Sequence, residues 1–213
     1  MFGNMLAMDL RPSLPFPEPP FPEPGGDQVV VLHGVSWDQY VALSNARTSS
    51  RPLMAYLDGE LEIVSTSREH EIDKKLIARF VEAYADAASV SLNAIGNATF
   101  RKKAKSAGVE PDECYCVGPM KKFPTLAIEV VYTSGGVDKL EIYRRLGVTE
   151  VWFWIERRFW IYRLVGKTYE PQNKSGEMPR LDLDRLTRAI HATEESGQTE
   201  AVRAYRNSLR RRR

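Results

Sequence analysis

The sequence predicts an α/β or α+β domain, a sheet with helices on its faces, and three observations carry that expectation. The segment "PLMAYLDGELEIV" holds two alternating apolar runs around Asp58-Gly59, the strongest short-range hairpin signal. In "EHEIDKKLIARFVEAYADAA", Ile72, Leu76, Ile77, Phe80, Val81 and Tyr84 recur at helical spacing, so one face should pack on a sheet. The order "TLAIEVV", "VDKLEIYRRLG", "EVWFWI" then alternates strand, helix and strand.

Taken in order, residues 1–28 read as an arm. The stretch "RPSLPFPEPPFPEPGG" is proline-dense, and proline removes donors and fixes φ, so an extended or disordered segment is expected, with the folded domain beginning near Val29. "GVSWDQYVALSNA" reads as a helix with Ser36 as its N-cap. After the hairpin and the long helix come short strand candidates at "VSLNA" and "ATFRKK", then "SAGVEPDE" as a loop, then the strand "CYCV". The helix "VDKLEIYRRLG" should close at Gly147, and "EVWFWI" and "FWIYRLV" form a terminal strand pair across "ERR". The expected domain spans residues 29–185, and 186–213 form a charged extension of one or two short helices, packed on the domain or leaving it, that ends in an arginine tail.

The 213 residues suit one well-filled core. With 43% hydrophobic residues, 27% charged residues and a formal net charge of +2, the balance neither demands nor excludes nucleic acid. No run approaches the roughly 18 apolar residues of a membrane helix, and no signal core follows the N-terminus. A cytoplasmic protein without membrane association is expected. Cys114 and Cys116 are too close for a good disulfide and too few for a zinc site, so they read as buried thiols in a reducing compartment.

The chemistry converges on "LAIEVVYTS". An ionised carboxylate in an apolar strand costs several kcal/mol unless a cation or strong donors meet it, so Glu129 calls for partners. If "CYCV" and "AIEVV" are adjacent strands, Asp112 and Glu129 can project from the same face. Two carboxylates that close repel, and a divalent ion holds both ionised; hard oxygen ligands favour Mg²⁺ over zinc, with Mn²⁺ able to substitute. With Lys139 early in the next helix, such a trio supports metal-assisted hydrolysis of a phosphodiester.

The segments "VSWDQYVAL", "AYLDGELEIVSTSREHE", "TFRKKAKSAGVEPDECYCVG", "LAIEVVYTS" and "DKLEIYRRLGVTEVWFW" resemble, in order, the Uma-type restriction endonuclease family of the PD-(D/E)XK nuclease superfamily. The resemblance covers roughly residues 29–185. It implies a restriction-endonuclease-like mixed sheet flanked by helices, a divalent metal site, DNA as substrate and usually a dimeric assembly, here a homodimer. It places metal ligands at Asp112 and Glu129. The lysine that usually follows the acid by two residues is replaced by Val131, and a K-x-x-x-Y arrangement supplies it instead as Lys139 with Tyr143. Glu60 is implied as an auxiliary acid, and His70 as a second contact behind the ligands or toward substrate.

Other readings stay open. Asp112 could be a turn residue, Glu60 a solvated strand residue, His70 a helix N-terminal contact, and Lys139 a surface partner of Asp138 or Glu141. The chain could therefore be a Mg²⁺-dependent endonuclease, a catalytically silent nuclease fold serving binding or assembly, or an interaction protein working through its arms.

Overall fold

The computed structural model describes residues 26–133 and 135–210. The proline-dense part of the arm (1–25) and the last three arginines (211–213) lie outside the described residues.

The chain runs β1 (Gln28–Leu32), α1 (Trp37–Ala46), β2 (Leu53–Leu57), β3 (Glu60–Ser65), α2 (Arg68–Ala88), β4 (Leu92–Ala94), β5 (Phe100–Lys102), a 3₁₀ turn (Lys103–Lys105), β6 (Ala107–Val109) and β7 (Glu113–Val117). It continues with β8 (Leu126–Val131), α3 (Lys139–Leu146), β9 (Glu150–Ile155), β10 (Arg158–Val165), β11 (Thr168–Gln172), α4 (Leu183–His191), α5 (Thr193–Ser196) and α6 (Gln198–Arg210).

Local chemistry sets these boundaries. Ser36 Oγ accepts from the Gln39 N–H at 3.2 Å while the Ser36 N–H donates to Gln39 Oε1 at 2.8 Å, a reciprocal capping box at the start of α1. Asp58 and Gly59 both have positive φ, 47° and 99°, as a two-residue hairpin turn between right-twisted strands requires. Ser67 caps α2 and Asp138 caps α3, each accepting from the N–H three residues on. Gly147, at φ 84°, ends α3 in the left-handed conformation.

The strands form two sheets. The first has the order β1-β3-β2-β6-β5 and the second β11-β10-β9-β8-β7-β4. Among the described strands only β8 and β9 pair in parallel, with α3 as their crossover. On the outer face of the first sheet, α1 brings Tyr40 against Met54, Tyr56 and Leu61. Between the sheets, α3 contributes Ile142, Tyr143 and Leu146 to a core with Ala55, Val109, Cys114, Ala127 and Phe153. Beyond the second sheet, α2, α4 and α6 pack Ile77, Phe80, Leu186, Ile190 and Tyr205 on Tyr115, Ile128, Val130, Trp152 and Trp154. Among the described residues no helix is long and apolar enough to cross a membrane.

Two expectations are narrowed and one is corrected. The folded part, expected to begin near Val29, already includes Asp27, which is buried, and Gln28, which pairs with Ser65. Of the two placements open to the C-terminal helices, the packed one is found, because α4 and α6 bury Leu186, Ile190, Ala201 and Tyr205. The expected loop "SAGVEPDE" contains β6, a strand between β2 and β5. Its glycine hides it from propensity, yet the glycine is required: a Cβ at Gly108 would lie 2.5 Å from Tyr40 Oη. Gly108→Ala should therefore destabilise the protein by ~1–3 kcal/mol through overpacking, read as a lower urea midpoint at unchanged m-value.

Both cysteines are free and buried. Cys114 lies in the core between the sheets, where burial pushes its thiol well above the ordinary range.

Candidate functional site

Alternation along β8 decides which side chains reach the site. Leu126, Ile128 and Val130 face α2, so Ala127, Glu129 and Val131 face the space between the sheets. β7 pairs antiparallel with β8, Glu113 opposite Ile128, and continuing that register by one residue sets Asp112 opposite Glu129. Asp112 Oδ2 accepts the Val130 N–H at 2.8 Å, which anchors it against β8. The same alternation on β3 turns Leu61 and Ile63 toward α1 and Glu62 inward, beside Ala55 of β2.

Glu129 is 1% exposed, and α3 supplies its partners. Lys139 Nζ donates to Glu129 Oε2 at 2.7 Å, and the Tyr143 hydroxyl donates to Oε1. The two residues are one helical turn apart and so share a face of α3. Lys139 Nζ also stands 3.9 Å from Glu62 Oε1, while Glu62 Oε2 accepts from the N–H groups of Gly136 at 2.8 Å and Val137 at 3.3 Å. The Lys139 side chain keeps 24% exposure while both its carboxylate partners keep 1%.

A second buried chain joins at Asp112. His70 Nε2 lies 2.9 Å from Asp112 Oδ1, and His70 Nδ1 lies 2.7 Å from Asp27 Oδ2. Asp27 Oδ1 in turn accepts from the Ser67 N–H at 2.7 Å. Burial by itself would lower the His70 pKa, but the two carboxylates more than offset that and raise it to about 9. His70 therefore sits as an imidazolium between two aspartates. Burial acts to raise the Asp27 carboxyl, yet the bonds from His70 and Ser67 hold it below its ordinary value.

The Glu129 carboxyl is raised by burial and by Asp112, against the pull of Lys139. Burial would lower Lys139, but Glu129, Glu62 and Asp112 hold it above its ordinary value. An amine so held keeps its proton and acts as a cation and donor, not as a base.

Four buried carboxylates, Asp27, Glu62, Asp112 and Glu129, face two cations, the buried His70 and the partly exposed Lys139. Fully ionised, the cluster carries two more negative charges than positive ones. A low-dielectric site resolves such an excess by taking up protons or a divalent cation. Among the described residues no group of three or more His, Cys, Asp and Glu side chains is already disposed around a metal position. The donor set nonetheless fits a hard cation: it is all carboxylate oxygen and it has the matching charge deficit.

Of the residues expected from the sequence, Asp112, Glu129, Lys139, Tyr143 and His70 are brought together. Glu60 is not. Its carboxylate lies at the hairpin end of β3, 46% exposed, 3.3 Å from His33 Nδ1. Glu62, two residues further along the same face, is the acid that reaches the cluster. Its signal was the one that exposed Glu129: a carboxylate inside a strand, flanked by Leu61 and Ile63. Asp27 was hidden because it precedes the first strand and lies beside the proline-dense arm. Among the described residues Lys139 forms its ion pairs with Glu129 and Glu62 rather than with Asp138 or Glu141, and Glu141 is taken by Arg144 and Arg145.

The His70 arrangement makes metal-free stability pH-dependent, with a definite sign. A group whose pKa rises from 6.5 to about 9 on folding contributes fully below the lower value and loses its contribution as pH rises through the higher. The loss should be about 3 kcal/mol between pH 6 and pH 10, taking about 1.4 kcal/mol per unit. Urea midpoints of the wild type and His70→Gln at the two pH values check it: the variant should start lower and change less.

A family model described as Uma2, "Putative restriction endonuclease", matches residues 37–193, which include every residue of the cluster except Asp27. No curated protein matches the chain.

Proposed function

This chain belongs to the Uma2 family, whose fold is restriction-endonuclease-like, and on that footing we propose that it is a divalent-metal-dependent endonuclease that hydrolyses phosphodiester bonds of DNA at the Asp112–Glu129–Lys139 cluster. The observation that carries the reading is the 2.7 Å contact of Lys139 with Glu129 from α3. With Val131 at the usual lysine position, the reading depends on a lysine that returns from the next helix, and Lys139 does so.

Asp112 and Glu129, with Glu62 beside them, would hold a Mg²⁺ or Mn²⁺ ion. Bound there, the ion would polarise a phosphoryl oxygen and lower the pKa of a bound water. The remaining work falls to the chain itself. Lys139 offers a protonated amine to the charge that develops on the phosphoryl group. Tyr143, whose hydroxyl is held neutral by burial and by Glu129, fixes the Glu129 carboxylate through Oε1. His70 and the Val130 N–H fix both oxygens of Asp112, so the two acids cannot swing away from each other. Asp27 holds the other nitrogen of His70.

The test is cleavage of supercoiled plasmid in Mg²⁺, in Mn²⁺ and in chelator. Nicking in either ion and none in chelator is expected. Cleavage that persists in chelator would overturn the metal role.

One observation favours a second reading, a catalytically silent module: each of these carboxylates already has a protein donor, with Lys139 between two of them. Calorimetry separates the two, since no binding of Mg²⁺ or Mn²⁺ below the millimolar range would favour the module.

A further inference from the structure

The segments "RKKAK" (101–105) and "MKKF" (120–123) are distant in sequence and join in space. β5 and the loop between β7 and β8 border an open cavity of about 460 Å³ lined by Asn45, Thr99, Phe100, Arg101, Lys122 and Phe123. This falls in the range of small-ligand sites. Its aromatic floor is Phe100 and Phe123, with centroids 6.2 Å apart. Lys102 Nζ and Lys122 Nζ each stand 5.8 Å from the Phe123 centroid. At the rim Lys103 is neutralised by Asp38 at 3.1 Å, whereas Lys102, Lys105 and Lys122 pair with no carboxylate among the described residues.

An aromatic face flanked by unneutralised lysines is the chemistry that stacks a base and holds its phosphates. The cavity also lies on the proper side of the protein. Phe123, partly buried, packs against the core between the sheets, the side of β8 on which Glu129 lies. Glu129 follows Phe123 by six residues, a reach of at most roughly 20 Å, less than the ~34 Å of one duplex turn, so the two places fall within the length that one nucleic acid spans.

We propose that this cavity seats an unpaired nucleotide of the nucleic acid, its base on Phe123 and its phosphates on Lys102 and Lys122, and so directs the protein toward DNA with single-stranded character. The inference rests on the endonuclease reading for the identity of the polymer. A fully paired duplex keeps its bases stacked and cannot fill the cavity without extruding one.

The test measures anisotropy of a labelled single-stranded oligonucleotide and of its duplex in Ca²⁺ across a salt series. Wild type, Lys102→Gln/Lys122→Gln and Phe123→Leu are compared, and plasmid cleavage in Mn²⁺ is followed in parallel. Wild type should prefer the single strand. The double variant should lower the slope of log K against log salt by about 1.4 for single strands, at roughly 0.7 for each phosphate no longer neutralised. Phe123→Leu keeps most of the buried volume and should weaken binding about tenfold, as the loss of one stacked base does. Unchanged binding in both variants, or no binding by the wild type, would overturn the proposal. Cleavage that survives in variants with unchanged binding would leave the endonuclease reading standing without the cavity. Weakened binding in the variants of a wild type that never cleaves would support the cavity and overturn the endonuclease reading.

Discussion

Lys139→Met should destabilise the metal-free protein by ~3–5 kcal/mol, the cost of removing one partner from a buried ion pair. The reason is specific to this cluster. Glu129 and Glu62 are each 1% exposed and Lys139 is the cation they share, so its loss leaves two buried carboxylates without a counter-charge. Methionine fills much the same volume, which confines the effect to charge. Mg²⁺ or Mn²⁺ should recover part of the stability, since an ion bound to the folded state alone stabilises it by mass action. DNA cleavage should still be reduced ~100- to 1,000-fold, as when one preorganised donor to a developing charge is removed. Denaturant midpoints with and without Mn²⁺, beside cleavage rates, separate the two roles. Recovery of activity together with stability would mean that Lys139 serves only the fold.

Glu129→Gln should have the opposite effect on stability and a larger one on activity. The Glu129 carboxyl is raised by burial and by Asp112, so its ionised form is a liability to the metal-free fold. A raised folded-state pKa means that stability is lost as pH rises above the unfolded carboxylate range, and the amide removes that loss. Its carbonyl can accept from Lys139 and its amide can donate to the Tyr143 oxygen, so each partner keeps one hydrogen bond to the side chain. Metal-free stability at pH 7 should be within ~1 kcal/mol of the wild type, or above it. Cleavage should fall by at least ~1,000-fold, because the site loses one of its two principal carboxylates. A variant that unfolds at neutral pH would contradict the charge excess assigned to the cluster. A variant that cuts normally would remove Glu129 from the site.

The pair of substitutions is informative because the two residues touch. Were the contact an ordinary structural ion pair, removing either partner would destabilise. A binding site with excess negative charge instead gains from losing an acid and suffers from losing its cation, a trade of stability for function.

Local signals in the sequence carried much of the fold. Ser36 with Gln39, Asp58-Gly59 and the spacing from Ile72 to Tyr84 each act within a few residues, and each forms the element it predicts. What escaped depends on tertiary contact. β6 is three residues long and holds a glycine that only the Tyr40 ring explains. The division into two sheets depends on which strands pair, which no single run encodes. The charged faces of α4 and α6 obscured the apolar stripe formed by Leu186, Ile190, Ala201 and Tyr205.

The candidate site follows the same division. Glu129 stood out as a charge in an apolar strand, and the four-residue spacing of Lys139 and Tyr143 placed both on one side of a helix. Glu60 and Glu62 share a strand face and differ only by one step along β3, so periodicity could not choose between them. The choice is made by β1 and β2, which flank Glu62 at Val31 and Ala55, while Glu60 ends at the turn. Asp27 became visible only through His70, whose two nitrogens join the chain before β1 to the residue before β7.

The most direct test of the central claim is a calorimetric titration of wild type and Asp112→Asn with Mn²⁺, followed by plasmid cleavage on the same samples. The wild type should bind the ion below the millimolar range and nick DNA in it. The variant should bind at least tenfold more weakly and leave the plasmid intact. Equal binding and equal cleavage by the two proteins would contradict the assignment of this carboxylate cluster as a metal-dependent phosphodiester cleavage site.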